Sequence, residues 1–265
     1  RSTIDNVGVQ YGLKTLLNHT ITPAQFASLN LNVGSLDTKG APVVKARATA
    51  DPTALAAAYR DNLLLNGGQG LRDIPIIDQR LYADQVGFPF DIHTTETSFV
   101  TRDRLLRANG TTANQVIIES PLDLAQTGVP AQFELDAMDR WLTAIKADTS
   151  SQTAPQKVIA DKPSDLGDGC YLASGTRILQ ALNYPPTGQC GTQYPVGANP
   201  RLIAGADLGL TTLKCALKPL NFADYPVTFT AADQTKLRQA FPSGVCDYTR
   251  PGVGQQAPQG PWLTY

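Results

Sequence analysis

Apolar residues recur along the chain with two periods. Ile74-Pro75-Ile76-Ile77-Asp78 and Gln115-Val116-Ile117-Ile118-Glu119 are short continuous apolar runs, the pattern of strands buried on both faces of a parallel sheet. Around them the period lengthens toward that of a helix. Thr22-Pro23 and Asp51-Pro52 each set a capping side chain before a proline at the first helical position. The second predicts a helix from Asp51 to about Asn66, ended by Gly67-Gly68. Glu96 to Ala108 reads as a helix stopped at Asn109-Gly110, and Gly12 to Asn18 as a short one. Phe133 to Ala147 is the clearest amphipathic stretch. There Leu135, Met138, Trp141, Leu142 and Ile145 recur at spacings of three and four, with Asp136, Asp139, Arg140 and Lys146 mostly off that face.

Helix and strand in alternation predict an α/β fold with a parallel sheet. Two clear strands are too few for a doubly wound sheet, and residues 1–50 add only weak candidates such as Val43-Val44. The domain therefore reads as incomplete. Past Asp148 the pattern changes. Residues 149–156 are small and polar, like a linker. Short alternating runs follow at Lys157–Ala160 and Tyr225–Thr230, then a short helix over Ala231–Ala240. The tail from Pro251 to Tyr265 is expected to lie over the surface, anchored by Trp262. This divides the chain into 1–150, part of an α/β domain, and 151–265, a loop-rich cysteine-containing extension packed on it.

Composition narrows the partners. With 22 Lys+Arg against 23 Asp+Glu the net charge is −1, too little to neutralise many phosphates, so no nucleic acid is expected. No apolar run approaches the ~18 residues of a membrane span. The first residues do not read as a signal peptide, so any leader is expected to be already removed. The acids are skewed to Asp, with Glu only at Glu96, Glu119 and Glu134.

The cysteines are Cys170, Cys190, Cys215 and Cys246, without a CxxC pair, and the histidines are His19 and His93. That spacing argues against a zinc site, and no metal or cofactor is expected. Four buried thiols would suit a cytosolic protein, and two disulfides an exported one. An even count in a loop-rich segment favours disulfides and a secreted or periplasmic location. Three pairings exist; Cys170 with Cys190 and Cys215 with Cys246 closes the shortest loops and is the expected one.

Candidate chemistry is concentrated after the first predicted strand. A G-x-S-x-G nucleophile elbow is absent; Gly34-Ser35, Ser174-Gly175 and Ser243-Gly244 are its nearest fragments. Gly67-Gly68-Gln69-Gly70 follows a helix, whereas a phosphate loop precedes one. Asp78-Gln79-Arg80-Leu81-Tyr82-Ala83-Asp84, continued by Phe90-Asp91-Ile92-His93, follows the carboxyl end of a strand, where open α/β sheets build their sites. An Asp bonded to His93 would fix its tautomer and stabilise the imidazolium, as a general base requires. The plainer alternative is that Asp91 and His93 cap the following helix. His19, at a helix end, reads as structural.

Several segments resemble a family of secreted bacterial proteins of unknown function that is itself similar to α/β-hydrolases of the tannase and feruloyl-esterase kind. They are Asp5–Gly12, Ile74–Asp78 with Asp91-Ile92-His93, Ser98-Phe99 and Arg102–Leu105, Lys162-Pro163, Leu213–Cys215 with Leu217–Pro219, and Phe241–Tyr248. The resemblance implies the C-terminal part of a longer protein, with the first strands and the nucleophilic Ser in a preceding segment. It makes Ile74–Asp78 and Gln115–Glu119 the last two sheet strands and Phe133–Ala147 the final helix on the sheet. Hydrolases of this kind carry the acid after the penultimate strand, which Asp78, Asp84 or Asp91 supplies, and the His after the last one. The loop Ser120-Pro121-Leu122-Asp123 has no His, a departure from the pattern. His93 is then the expected base, with Asp84 or Asp91 to orient it.

The function so implied is an exported hydrolase of ester bonds, partnered by the segment or chain that carries the nucleophile. The competing reading is a non-catalytic carbohydrate- or polymer-binding module, with Trp262, Tyr265, Tyr248 and Tyr225 as a stacking platform, or a structural subunit that completes a partner chain.

Overall fold

The computed structural model describes residues 1–86, 93–197 and 199–260, with the side chains of 69 and 124–127 left aside. The chain forms two compact units: residues 1–65 with 199–260, and Asn66–Gly197.

The N-terminal part of the first unit carries α1 (Leu13–Leu17), α2 (Pro23–Asn32), a two-stranded antiparallel ribbon of β1 (Ser35–Leu36) and β2 (Pro42–Val43), and α3 (Pro52–Arg60). Its helices start where the capping signals put them. The Thr22 hydroxyl and the Gln25 side chain form a reciprocal capping box, and Asp51 accepts the Ala54 N–H at 2.9 Å. The helix predicted to reach Asn66 stops at Arg60 instead. Gly67 has a different role. At φ +79° it crosses the backbone of a later helix so closely that a Cβ would stand 2.4 Å from the Arg104 carbonyl carbon.

The second unit begins with a 3-10 turn (Gln69–Asp73) and continues through β3 (Ile76–Leu81), α4 (Glu96–Asn109), β4 (Gln115–Ser120), α5 (Leu124–Ala147), α6 (Ala154–Ala160), β5 (Gly169–Tyr171), β6 (Arg177–Leu179) and α7 (Gly188–Gln193). Its sheet has the order β3-β4-β5-β6. β3, β4 and β5 run parallel and β6 is antiparallel. This is the mixed α/β architecture with a mostly parallel sheet that the alternation of patterns predicts. The two strong runs are not the last sheet strands, however. Gly169–Tyr171 and Arg177–Leu179 extend the sheet beyond β4, so part of the strand shortage is met from within the chain. Each is three residues long, too short to carry a period.

Two further expectations fail for local reasons. Lys157–Ala160 is helix, because Thr153-Ala154-Pro155-Gln156 is a capping box with an early proline, and the linker-like stretch is the turn between α5 and α6. Tyr225–Thr230 is not a strand. Pro226 cannot donate to a ladder, and Tyr225 and Phe229 pack edge to face at 5.3 Å instead. The amphipathic face of α5 is only half covered. Trp141 is fully buried, with its indole N–H donated to the Val158 carbonyl at 2.8 Å, whereas Leu135 is 68% exposed and Leu142 49%.

The first unit is completed by α8 (Pro200–Ile203), β7 (Ala216–Lys218), a 3-10 turn (Phe222–Asp224), α9 (Ala231–Ala240) and β8 (Val245–Asp247), with β7 and β8 antiparallel. Phe26, Phe229, Leu237 and Phe241 form its core. The disulfides pair as expected: Cys170 with Cys190 in the second unit and Cys215 with Cys246 in the first.

Candidate functional site

The site region lies at the carboxyl ends of β3 and β4. Side chains alternate across a strand, and here the two faces differ in kind. Ile77 and Gln79 of β3 border α5, and Val116 and Ile118 of β4 pack on Ala137 and Trp141. The opposite face, under α4, is polar. Arg80 donates to the Ser98 hydroxyl at 2.9 Å and pairs with Asp78 at 3.5 Å. Gln115 donates to Asp78 at 3.4 Å and accepts from Arg102. Arg102 makes a two-pronged ion pair with Asp168, at 2.5 and 2.8 Å. Asp168 also accepts the Ile117 N–H at 2.9 Å.

Asp84 stands three residues past β3. Its Oδ1 accepts the backbone N–H and the hydroxyl of Thr95, each at 2.7 Å, and its Oδ2 accepts the Gly197 N–H at 2.8 Å. It thereby joins the start of α4 to the stretch after α7. That stretch is held again by the Tyr82 hydroxyl, which donates to the Pro195 carbonyl at 2.7 Å. The rings of Tyr82 and Tyr194 lie 5.1 Å apart, and the Tyr194 hydroxyl donates to the Tyr171 carbonyl at 2.5 Å.

His93 is exposed, two residues before Thr95. The partners of the Asp84 carboxylate are Thr95 and Gly197. Asp78 belongs to the Arg80 and Gln115 cluster on β3. Asp91 lies outside the described residues, as do Trp262 and Tyr265. Tyr225 packs in the core of the first unit and donates to the Gln10 side chain, which takes it out of any exposed stacking platform. His19, at φ +61° directly after α1, closes that helix by donating its N–H to the Leu16 carbonyl at 3.0 Å.

Sequence reasoning passed over Glu119 and Glu134. Glu119 is 0% exposed, and neither carboxylate oxygen has a hydrogen-bond partner among the described residues. Burial pushes its pKa up to about 8, helped by the charges of Asp84 and Asp168 and opposed by Arg80. Glu134 of α5 is also buried with an unpartnered oxygen, and burial raises it to about 7 against the pull of Arg177. It lines a cavity of 360 Å³ with Ile77, Gln79, Ala131, Leu135 and Met138. The available signal was a Glu closing a buried apolar run in a chain with three glutamates. Among the described residues, no group of three or more His, Cys, Asp and Glu is placed to hold a metal ion, and no helix is long and apolar enough to cross a membrane.

A mostly parallel sheet with helices between its strands defines a mixed α/β protein. The chain belongs to the Tannase-like family of unknown function (DUF6351), which matches residues 1–257. No curated protein and no solved structure matches it.

Proposed function

We propose that this chain is the acid- and base-bearing part of an exported serine ester hydrolase. In this reading Asp84 orients His93, His93 takes the proton of a serine hydroxyl, and the serine comes from a preceding segment or a separate chain with a strand–Ser–helix elbow. One observation carries it. β3 is an edge strand, paired only with β4 among the described residues, and Leu135 of α5, which lines a cavity with Ile77 and Gln79 of β3, is 68% exposed. A parallel sheet is stable when both faces are covered and its edge is paired or shielded. A further parallel strand on β3 would bury that surface and bring its own carboxyl end beside Asp84. Membership of a tannase-like family and two disulfides suited to an oxidising compartment support the same reading.

The test uses the complete protein and a chromogenic acyl ester. His93→Ala lowers kcat by about a thousandfold or more and leaves the melting temperature within a degree or two, because the side chain is exposed. Hydrolysis kept within twofold removes His93 from the mechanism. A complete protein that hydrolyses no ester sinks the reading as a whole.

A further inference from the structure

We propose that Glu119 is a positioning residue for Asp84: buried without a hydrogen-bond donor, it keeps its proton at neutral pH and so leaves undisturbed the bonds by which Asp84 ties the start of α4 to the 194–197 strap. Its meaning for catalysis rests on Asp84 as the orienting acid, whereas the proton placement itself does not.

Glu119 is one residue from the carboxyl end of β4, in register with Arg80 on β3 and Cys170 on β5. The charged and titratable groups around it are Arg80, Tyr82 and Asp84 from β3 and the loop after it, Asp168 from the approach to β5, and Tyr194 after α7. Asp168 is satisfied by Arg102 and the Ile117 N–H, and Asp84 by Thr95 and Gly197. Arg80 is shared between Asp78 and Ser98.

Glu119 alone among these three carboxyls has no donor. Donors stabilise the charged form, and a buried carboxyl without them keeps its proton beside an ionised neighbour. Burial and the charges of Asp84 and Asp168 raise Glu119 in that sense. Ionising it sets a second negative charge against Asp84 away from solvent. Displacing Asp84 relieves that repulsion, and the displacement loosens its bonds to Thr95 and Gly197. Tyr82 and Tyr194 hold the same strap.

The experiment is a carboxyl-carbon and amide NMR titration of the 265-residue chain from pH 5 to 10. With three glutamates, selective labelling gives three carboxyl signals, and Glu119→Gln identifies its own by loss. The expected result is a Glu119 signal titrating near pH 8, with the Thr95 and Gly197 amides shifting at the same midpoint. In Glu119→Gln those amides hold their low-pH positions throughout. In Asp84→Asn the Glu119 midpoint falls. A Glu119 midpoint below pH 6 overturns the proposal, and so do Thr95 and Gly197 amides that ignore that midpoint or that titrate unchanged in Glu119→Gln. The wild-type spectra alone decide the first two points should either variant fail to fold. All signals are read without substrate, so they stand apart from whether the complete protein hydrolyses esters.

Discussion

The two units differ in whether their buried carboxyls find partners. In the first, the buried Asp5 and Asp233 and the half-buried Arg47 are all hydrogen-bonded. Asp5 accepts the Val7 and Ala50 N–H groups and the Lys214 ammonium. Arg47 donates to the carbonyls of Asn6, Val9 and Asn30 and lies against the rings of Tyr11 and Phe241. In the second unit, all three glutamates of the chain are buried, and each has an oxygen without a partner. A satisfied network rigidifies, whereas an unsatisfied carboxyl stores free energy and responds to pH. The two units are therefore expected to differ in how their stability responds to pH.

The sharpest way to break this contrast is Arg47→Met. The change removes four hydrogen bonds from a charged donor and leaves three carbonyls short of a partner. The expected loss is on the order of 5 kcal/mol. All of the acceptors are amide oxygens, so the loss stays constant from pH 5 to 9 in urea denaturation. A loss that varied with pH would mean that the first unit also stores titratable strain.

Glu119→Gln tests the other side. A carboxyl whose folded pKa lies at about 8, above its unfolded value of roughly 4.3, favours folding most at low pH. Wild-type stability then falls as pH rises from the unfolded value through the folded one and levels off above it. Glutamine cannot ionise, so the variant lacks that fall and is the more stable form at pH 9, by on the order of 3 kcal/mol. Parallel stability–pH curves for the two proteins would exclude Glu119 as the origin of the alkaline loss.

What the sequence could show follows the same division. Continuous apolar runs revealed β3 and β4, although burial on both faces holds only for β4, whose residues are all buried, whereas the edge strand β3 is half-buried. Capping residues placed α2, α3 and α4, and loop closure favoured the observed disulfides. β5 and β6 were invisible, since three residues held by pairing with a neighbouring strand, β5 with β4 and β6 with β5, carry no period of their own. At the site, Asp84 and His93 were legible as residue types after a strand. The bonds from Thr95 and Gly197 to Asp84 were not, because Gly197 is 113 residues away. Glu119 was passed over because a Glu at a strand end usually faces water, whereas here it sits on β4, which lies between β3 and β5, and is fully buried.

The finest probe is Glu134, whose burial depends on the uncovered side of α5. Its carboxyl has Arg177 and Asp78 in its field and lines the cavity with Ile77, Leu135 and Met138. Burial raises it to about 7, so its cost accrues from the unfolded carboxylate value of roughly 4.3 and is complete near neutrality, whereas that of Glu119 goes on accruing to about 8. Glu134→Gln should make the decline between pH 5 and 7 shallower by roughly 1–2 kcal/mol and leave the decline from pH 7 to 8 unchanged. The size of that step also reports on the edge of β3. A strand or helix seated over Leu135 and Met138 would desolvate Glu134 further and raise its pKa. Were the proposed serine-bearing segment to dock there, the step would grow and move to higher pH in its presence; an unchanged midpoint on its addition would rule out docking in this groove.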